Sequence, residues 1–326
     1  SPALIPSPEM TENWASIDIG THTARLLVAR KSKAPGRLKP LARKRAYIRL
    51  GGGFSYSEGK TIQPEAIGRT LEVLEDFLRC TRLFDVHEVH AVATGVVREA
   101  TNRDEFLDLI YEHTGIRVRP IAGEEEALLT GKGVMHALNV QSGPFLVFDL
   151  GGGSTEFLLC TKDAQVVRST LIGSMILKQA FLKSDPPKDK QVDALSRHID
   201  KLLEEARLEP IGGRDGCLIV GTGGTVTTLA AMLFGIPLEE ITPDRINGLT
   251  LKVKQLEELF DEIKRLPYEE RLRLPGLDPD RADVILAGCL AVIRILYFFK
   301  SLQLSVSLSD LLEGILIDYA EGDKNG

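Results

Sequence analysis

The chain has 326 residues, enough for two ordinary domains and too many for one core. Hydrophobic residues make up 43% and charged residues 26%, a globular composition with little room for disorder. The formal net charge of −6 argues against a nucleic-acid binder, and the longest apolar run, residues 284–299, is short for a span and carries Arg294, so it reads as a core helix and not a membrane segment.

Residues 1–10 are Pro-rich and polar and do not resemble a secretory signal. Cys80, Cys160, Cys217 and Cys289 are widely spaced without a C-x-x-C pair, which fits reduced thiols and a cytoplasmic location better than a zinc site or a disulfide framework.

Residues 15–27 read as an apolar strand, Asp18, Ile19, Gly20, the small turn Thr21-His22-Thr23, and a second apolar strand carrying Arg25. A third strand spans residues 41–50 and closes on Gly51-Gly52-Gly53. Between Asp18 and Glu58 there is no acidic residue, yet the interval holds Arg25, Arg30, Lys31, Lys33, Arg37, Lys39, Arg43, Lys44, Arg45 and Arg49. A block of one sign inside a chain of the other can steer an anionic ligand.

An amphipathic stripe at Ile67, Leu71, Leu74 and Leu78 predicts a helix over 64–80. A strand at 88–93, a helix at 103–113 stopped by Gly115, a short strand at 117–121 and a helix at 124–138 complete the first half. The stretch 146–158 then repeats 15–27 without a gap, with Asp149 at the place of Asp18, Gly151-Gly152-Gly153-Ser154 at the turn, and Glu156 at the place of Arg25. A strand at 166–172, a helix at 189–207, a strand at 217–220 running into Gly221-Thr222-Gly223-Gly224-Thr225, and helices to 234, at 251–265, 281–300 and 309–320 follow. Two copies of one unit predict a duplicated α/β fold with a cleft between the halves.

Turns built from Gly, Thr and Ser let backbone N–H groups converge on phosphate oxygens, and an Asp at the end of each strand can hold a divalent cation through water. The third glycine turn, 221–225, opens a helix whose free N–H groups and dipole favour an anion. It lacks the lysine of a Walker loop and the spacing of a dinucleotide fold.

These stretches, with Ala93-Thr94-Gly95-Val96-Val97-Arg98, Gly123-Glu124-Glu125-Glu126-Ala127 and residues 274–283, resemble the exopolyphosphatase/guanosine pentaphosphate phosphatase (Ppx/GppA) family, in its short two-domain form. The resemblance implies two ribonuclease H-like domains of the actin-like ATPase superfamily, here residues 1–124 and 125–326, with the last helix returning to the first domain. It implies Glu126 as general base, Arg98 as a phosphate clamp, Glu156 as a catalytic acid-pair member, and Asp149, Glu156 and Asp18 as contacts for magnesium, with a monovalent cation as a candidate second ion. Phosphate binding falls to Gly20, Thr21, His22, Thr23, Arg25, Gly151, Gly152, Gly153, Ser154, Thr155, Gly221, Thr222, Gly223, Gly224 and Thr225, and the distal chain to Lys and Arg of residues 30–49. The implied ligands are inorganic polyphosphate or guanosine penta- and tetraphosphate, with a homodimer as candidate assembly and no membrane or nucleic-acid partner.

Two departures bear on activity. His22 stands where the family turn carries a small amide, adding bulk or charge. The family's Val-Ser-Asp-x-x-Leu-Arg-Glu-Gly aligns with residues 306–314, so its Asp and Arg become Leu308 and Leu312, unless Asp310 substitutes from another position. A non-catalytic sensor of the same anions is the alternative that these losses raise.

Overall fold

A computed structural model describes residues 12–31, 37–141, 143–208 and 217–322, so Lys33 lies outside the described residues. Strands β1 (Asn13–Ile19), β2 (Thr23–Lys31), β3 (Leu38–Tyr47), β4 (Val86–Ala93) and β5 (Val118–Pro120) form one sheet in the order β3-β2-β1-β4-β5. Strands β6 (Phe145–Leu150), β7 (Thr155–Cys160), β8 (Gln165–Thr170), β9 (Leu218–Thr222), β10 (Thr250–Lys252) and β11 (Gln303–Val306) form the other, ordered β10-β11-β9-β6-β7-β8.

Both sheets have one topology. The first three strands of each run antiparallel, the fourth pairs parallel beside the first (β4 with β1, β9 with β6), and a fifth follows it in parallel; only β10 is an added edge strand. The sequence repeat is therefore a topological repeat.

Twelve helices cover the described residues: α1 (Pro64–Leu83), α2 (Val96–Glu99), α3 (Arg103–Thr114), α4 (Gly123–Leu138), α5 (Ser174–Phe181), α6 (Asp189–Glu205), α7 (Gly224–Phe234), α8 (Pro243–Ile246), α9 (Val253–Ile263), α10 (Tyr268–Arg271), α11 (Ile285–Phe298) and α12 (Leu311–Gly322). Each sheet has its own core, with Ile17, Leu26, Phe77 and Phe106 in the first and Phe148, Phe157, Leu229 and Ile295 in the second. None of these helices is long and apolar enough to cross a membrane.

Two helices change sides. α4 buries Ala127 and Val134 against Val147, Leu158 and Val220 of the second sheet, whereas α12 buries Leu312, Leu316 and Ala320 against Trp14, Leu27 and Ala29 of the first. They cross between the sheets with Gly133 on Asp310 and Gly314 on Leu129, where a Cβ on either glycine would run into the partner's backbone carbonyl.

Differences from the predicted elements have local causes. The strand expected at 41–50 is shifted to Leu38–Tyr47, and Arg49 takes a left-handed φ of 50°, which ends extended structure. The helix expected from 251 starts later because Thr250–Lys252 pair with β11, a four-residue strand too short to leave a periodic signal. Helix α5 and the single-turn helices α2, α8 and α10 were likewise not predicted.

Candidate active site

Strand register sets the site. Asp18 on β1 lies opposite Arg25 on β2, and Asp149 on β6 lies opposite Glu156 on β7. Both pairs face a cavity of about 720 Å³ between the halves. Its reactive end is lined by Asp18, residues 20–23 and Arg25 from the first half, and by Glu126, Asp149, residues 151–154, Glu156, Gly223, Gly224 and Asp310 from the second. Gly223, at φ 101°, lets the β9–α7 turn come against the Leu150 carbonyl and the Asp149 carboxylate, where a side chain would collide.

Arg98, on the one-turn helix α2, lies beneath this lining and ties three groups together. Its Nη1 donates to Glu126 Oε2, while Nη2 donates to Glu156 Oε1 at 2.9 Å and Ser154 Oγ at 3.2 Å. Ser169 Oγ donates to the same Glu156 oxygen at 2.9 Å. Glu126 and Glu156 are 6% and 2% exposed, so their charge depends on this arginine. Burial, with Glu156 adding to it against Arg98, pushes the Glu126 carboxyl well above the ordinary range. Burial also raises Glu156, against Arg98, Ser154 and Ser169.

Arg25 organises the other side. Its Nη2 donates to Asp18 Oδ2 at 2.8 Å and its Nη1 to Asp310 Oδ2 at 2.6 Å. Burial works against the arginine's charge, but Asp310, Asp18 and Asp149 outweigh it. Thr94 Oγ1 donates to Asp18 at 3.1 Å and Thr222 Oγ1 to Asp310 at 3.3 Å. Among the described residues Asp149 forms no ion pair, and its hydrogen bond comes from Thr130 Oγ1 at 3.5 Å. Burial, then Asp310, raises its carboxyl well above the ordinary range, with Arg25 opposing.

The expected site residues fall into two sets. Thr155, Gly221, Thr222 and Thr225 stand behind the lining: Thr155 Oγ1 donates to the Ile172 carbonyl at 2.6 Å, Gly221 lies against Phe148 and Leu304, and Thr225 is buried against Gly288. The remaining turn residues face the cavity. His22 adds bulk without charge: its Nε2 is 3.2 Å from the Asp280 carbonyl, its ring stands edge-on to Tyr47, and burial, with Arg281 and Arg49, pushes its pKa down to about 3. Among the described residues no three acidic, cysteine or histidine side chains converge as a ready metal cage, and Asp18 and Glu156 are each paired with an arginine.

Other members of the site are less plainly marked in the sequence. Ser169 and Thr130 are single hydroxyls without a motif, and Thr94 lies in the 93–98 stretch without being singled out there. Tyr56, whose hydroxyl donates to the Gly153 carbonyl at 3.3 Å, belongs to a loop that crosses to the second half. Asp310 occupies the Arg25 side of the cleft, next to Leu308 and Leu312.

The Ppx/GppA phosphatase family model matches residues 27–322. The chain belongs to the Ppx/GppA phosphatase family. Exopolyphosphatase 2 of Mycobacterium tuberculosis is 32% identical over 320 residues, covering 94% of this chain and 98% of that protein. The guanosine-5'-triphosphate,3'-diphosphate pyrophosphatase of Vibrio campbellii is 28% identical over 94% of this chain and 59% of its own length. The crystal structure of the Aquifex aeolicus Ppx/GppA family member superposes with a TM-score of 0.78 at 32% identity, covering 97% of this chain and 99% of that one. The duplicated topology predicted by the repeat is thus, in this Ppx/GppA chain, the actin-like fold that the family resemblance implied.

Proposed function

We propose that the chain is a phosphoanhydride hydrolase that releases orthophosphate from the end of inorganic polyphosphate, with guanosine pentaphosphate as the alternative substrate. The observation that carries this reading is the pairing of Glu126 with Arg98 in the floor of a cleft walled by two glycine turns. Family membership and the two named relatives support it, one for each substrate.

In this reading Glu126 takes a proton from a water molecule as the water oxygen bonds to the terminal phosphorus. The bond from phosphorus to the bridging oxygen breaks, and the shortened chain leaves with that oxygen. Backbone N–H groups of residues 21–22 and 152–154 hold the phosphoryl oxygens, those of Gly20 and Gly151 being donated to the Thr23 and Ser154 carbonyls, and the raised pKa of Glu126 brings its proton affinity closer to the working pH. Arg98 holds Glu126 in place and balances the charge of Glu156.

Five carboxylates (Asp18, Glu126, Asp149, Glu156 and Asp310) stand against the guanidiniums of Arg25 and Arg98, with Arg281 also in the cavity lining, and the acidic donors are all oxygen, which suits a hydrated dication. Asp149, with Asp18 and Glu156 behind it, would hold magnesium, whose chemistry is to neutralise and orient phosphoryl oxygens. The reading divides the chain at residues 124 and 125, with α12 assigned to the second domain, and takes the enzyme to be cytoplasmic.

Phosphate release from polyphosphate and from guanosine pentaphosphate, with Glu126→Gln as control, tests the proposal. Turnover that Glu126→Gln abolishes supports it. Tight binding of these anions with turnover insensitive to Glu126→Gln would replace it with a sensor.

A further inference from the structure

The basic block of the first half is partly occupied. Four of its arginines pair with carboxylates carried by the second half: Arg25 with Asp310, Arg43 with Glu313, Arg45 with Asp278 at 2.9 Å, and Arg49 with Asp283 at 3.0 Å. Arg25 serves the reactive end. Arg43 and Arg45, on β3, line the same cavity, and Arg49 lies two residues past that strand, outside the lining.

The last two carboxylates are themselves fixed. Asp278 accepts from Arg45 Nη2, from the Tyr47 hydroxyl and, through Oδ1, from the Asp280 N–H at 3.1 Å. Arg49 forks onto both Asp283 oxygens and also donates to the Asp280 carbonyl at 2.7 Å. Asp278 is 8% exposed, and the Arg45 and Arg49 side chains are 29% and 30% exposed, so these pairs are partly desolvated and geometrically held.

A neutralised guanidinium offers a polyanion little net attraction, and exchanging its partner means breaking a held pair and stranding a carboxylate. The glycine turns would bind through backbone N–H groups, none of which is held by a carboxylate among the described residues. From these contacts we infer that Asp278 and Asp283 are specificity determinants that restrict the cleft to short phosphoanhydride chains, by withholding Arg45 and Arg49 from a longer one. The inference rests on the hydrolase reading above and names the substrate class of that site: a triphosphate-like terminus, free or borne on a nucleoside.

The test measures steady-state phosphate release by the full chain on inorganic tripolyphosphate, guanosine pentaphosphate and long-chain polyphosphate, at several salt concentrations. The native protein is expected to have a higher kcat/KM, per chain end, on at least one short substrate than on long-chain polyphosphate. Its KM values should differ little in salt dependence, because the long chain gains neither Arg45 nor Arg49. In the double variant Asp278→Asn/Asp283→Asn, the long-chain KM should fall on the order of tenfold for the freed charge-assisted contacts and become more salt-sensitive. Its kcat and its tripolyphosphate KM should stay within about twofold, since the variant leaves the reactive end intact.

A native preference for long chains, a steeper native salt dependence for the long chain, or an unchanged long-to-short KM ratio in the variant would overturn the inference while leaving the hydrolase reading in place. No turnover of any of the three substrates would overturn both. If the double variant does not fold, as judged by thermal melting, Asp283→Asn alone decides by the same ratio, and the native salt comparison needs no variant. Which short substrate is preferred separates the free terminus from the nucleoside-borne one.

Discussion

The two aspartate hairpins share a backbone and differ at one paired position. In the first, Asp18 faces Arg25, and the arginine also reaches Asp310, so the strand ends are closed by a guanidinium. In the second, Asp149 faces Glu156, and the only cation near Glu156 that forms an ion pair among the described residues is Arg98, which it shares with Glu126. Duplication supplies two matched concavities, and one exchange of charge separates them: an arginine stands at the paired position of the first and a glutamate at that of the second. That division can be broken in steps.

The largest expected effect comes from the acidic side. Glu126→Gln should lower kcat for phosphate release by about a thousandfold, the size of a lost general base, with the melting temperature nearly kept. The pH profile carries the same signature. Because burial and Glu156 raise the Glu126 carboxyl, the base takes up its proton as pH falls through that raised value, so the acid limb of kcat/KM should lie above the ordinary glutamate value of about 4.3. An acid limb at the ordinary value would mean that another group is the base.

Next is the basic side. Arg25→Met leaves Asp18 and Asp310 facing each other without a cation, which should cost about 3 kcal/mol by equilibrium denaturation, and less when magnesium is present. Equal loss with and without magnesium would count against cation binding here.

The crossing of α4 and α12 joins the two hairpins mechanically. Gly133→Ala sets a methyl against the Asp310 carbonyl and should cost about 2 kcal/mol in a thermal melt, with activity falling because Asp310 carries Arg25. The smallest effect sharpens the comparison directly. Asp149→Asn should raise the magnesium concentration for half-maximal activity about tenfold more than Asp18→Asn does, because Asp18 is already neutralised. Equal shifts would show that the two hairpins share the ion.

The duplicated strands and turns were legible because they are local: an apolar run, an Asp and small residues fix a hairpin without outside help. Glu126 could be picked out among Glu124, Glu125 and Glu126 only through family resemblance. The structure separates them by helix face, since Glu126 is buried while Arg119 reaches out to pair with Glu125 in solvent. Thr155 and Thr225 resembled phosphate ligands in the sequence but point into the core, because side chains alternate along a strand and rotate around a helix.

By itself, then, the sequence determined the two hairpins, their glycine turns, the helix stripes and the cationic block, all of which follow from residue type and short-range spacing. Tertiary structure alone decided which charges meet. Arg45 and Asp278, or Arg25 and Asp310, lie far apart in the chain and are joined only when α12 and the 278–283 segment fold against the first half. An ion pair depends on distance in space, and composition carries no record of that distance.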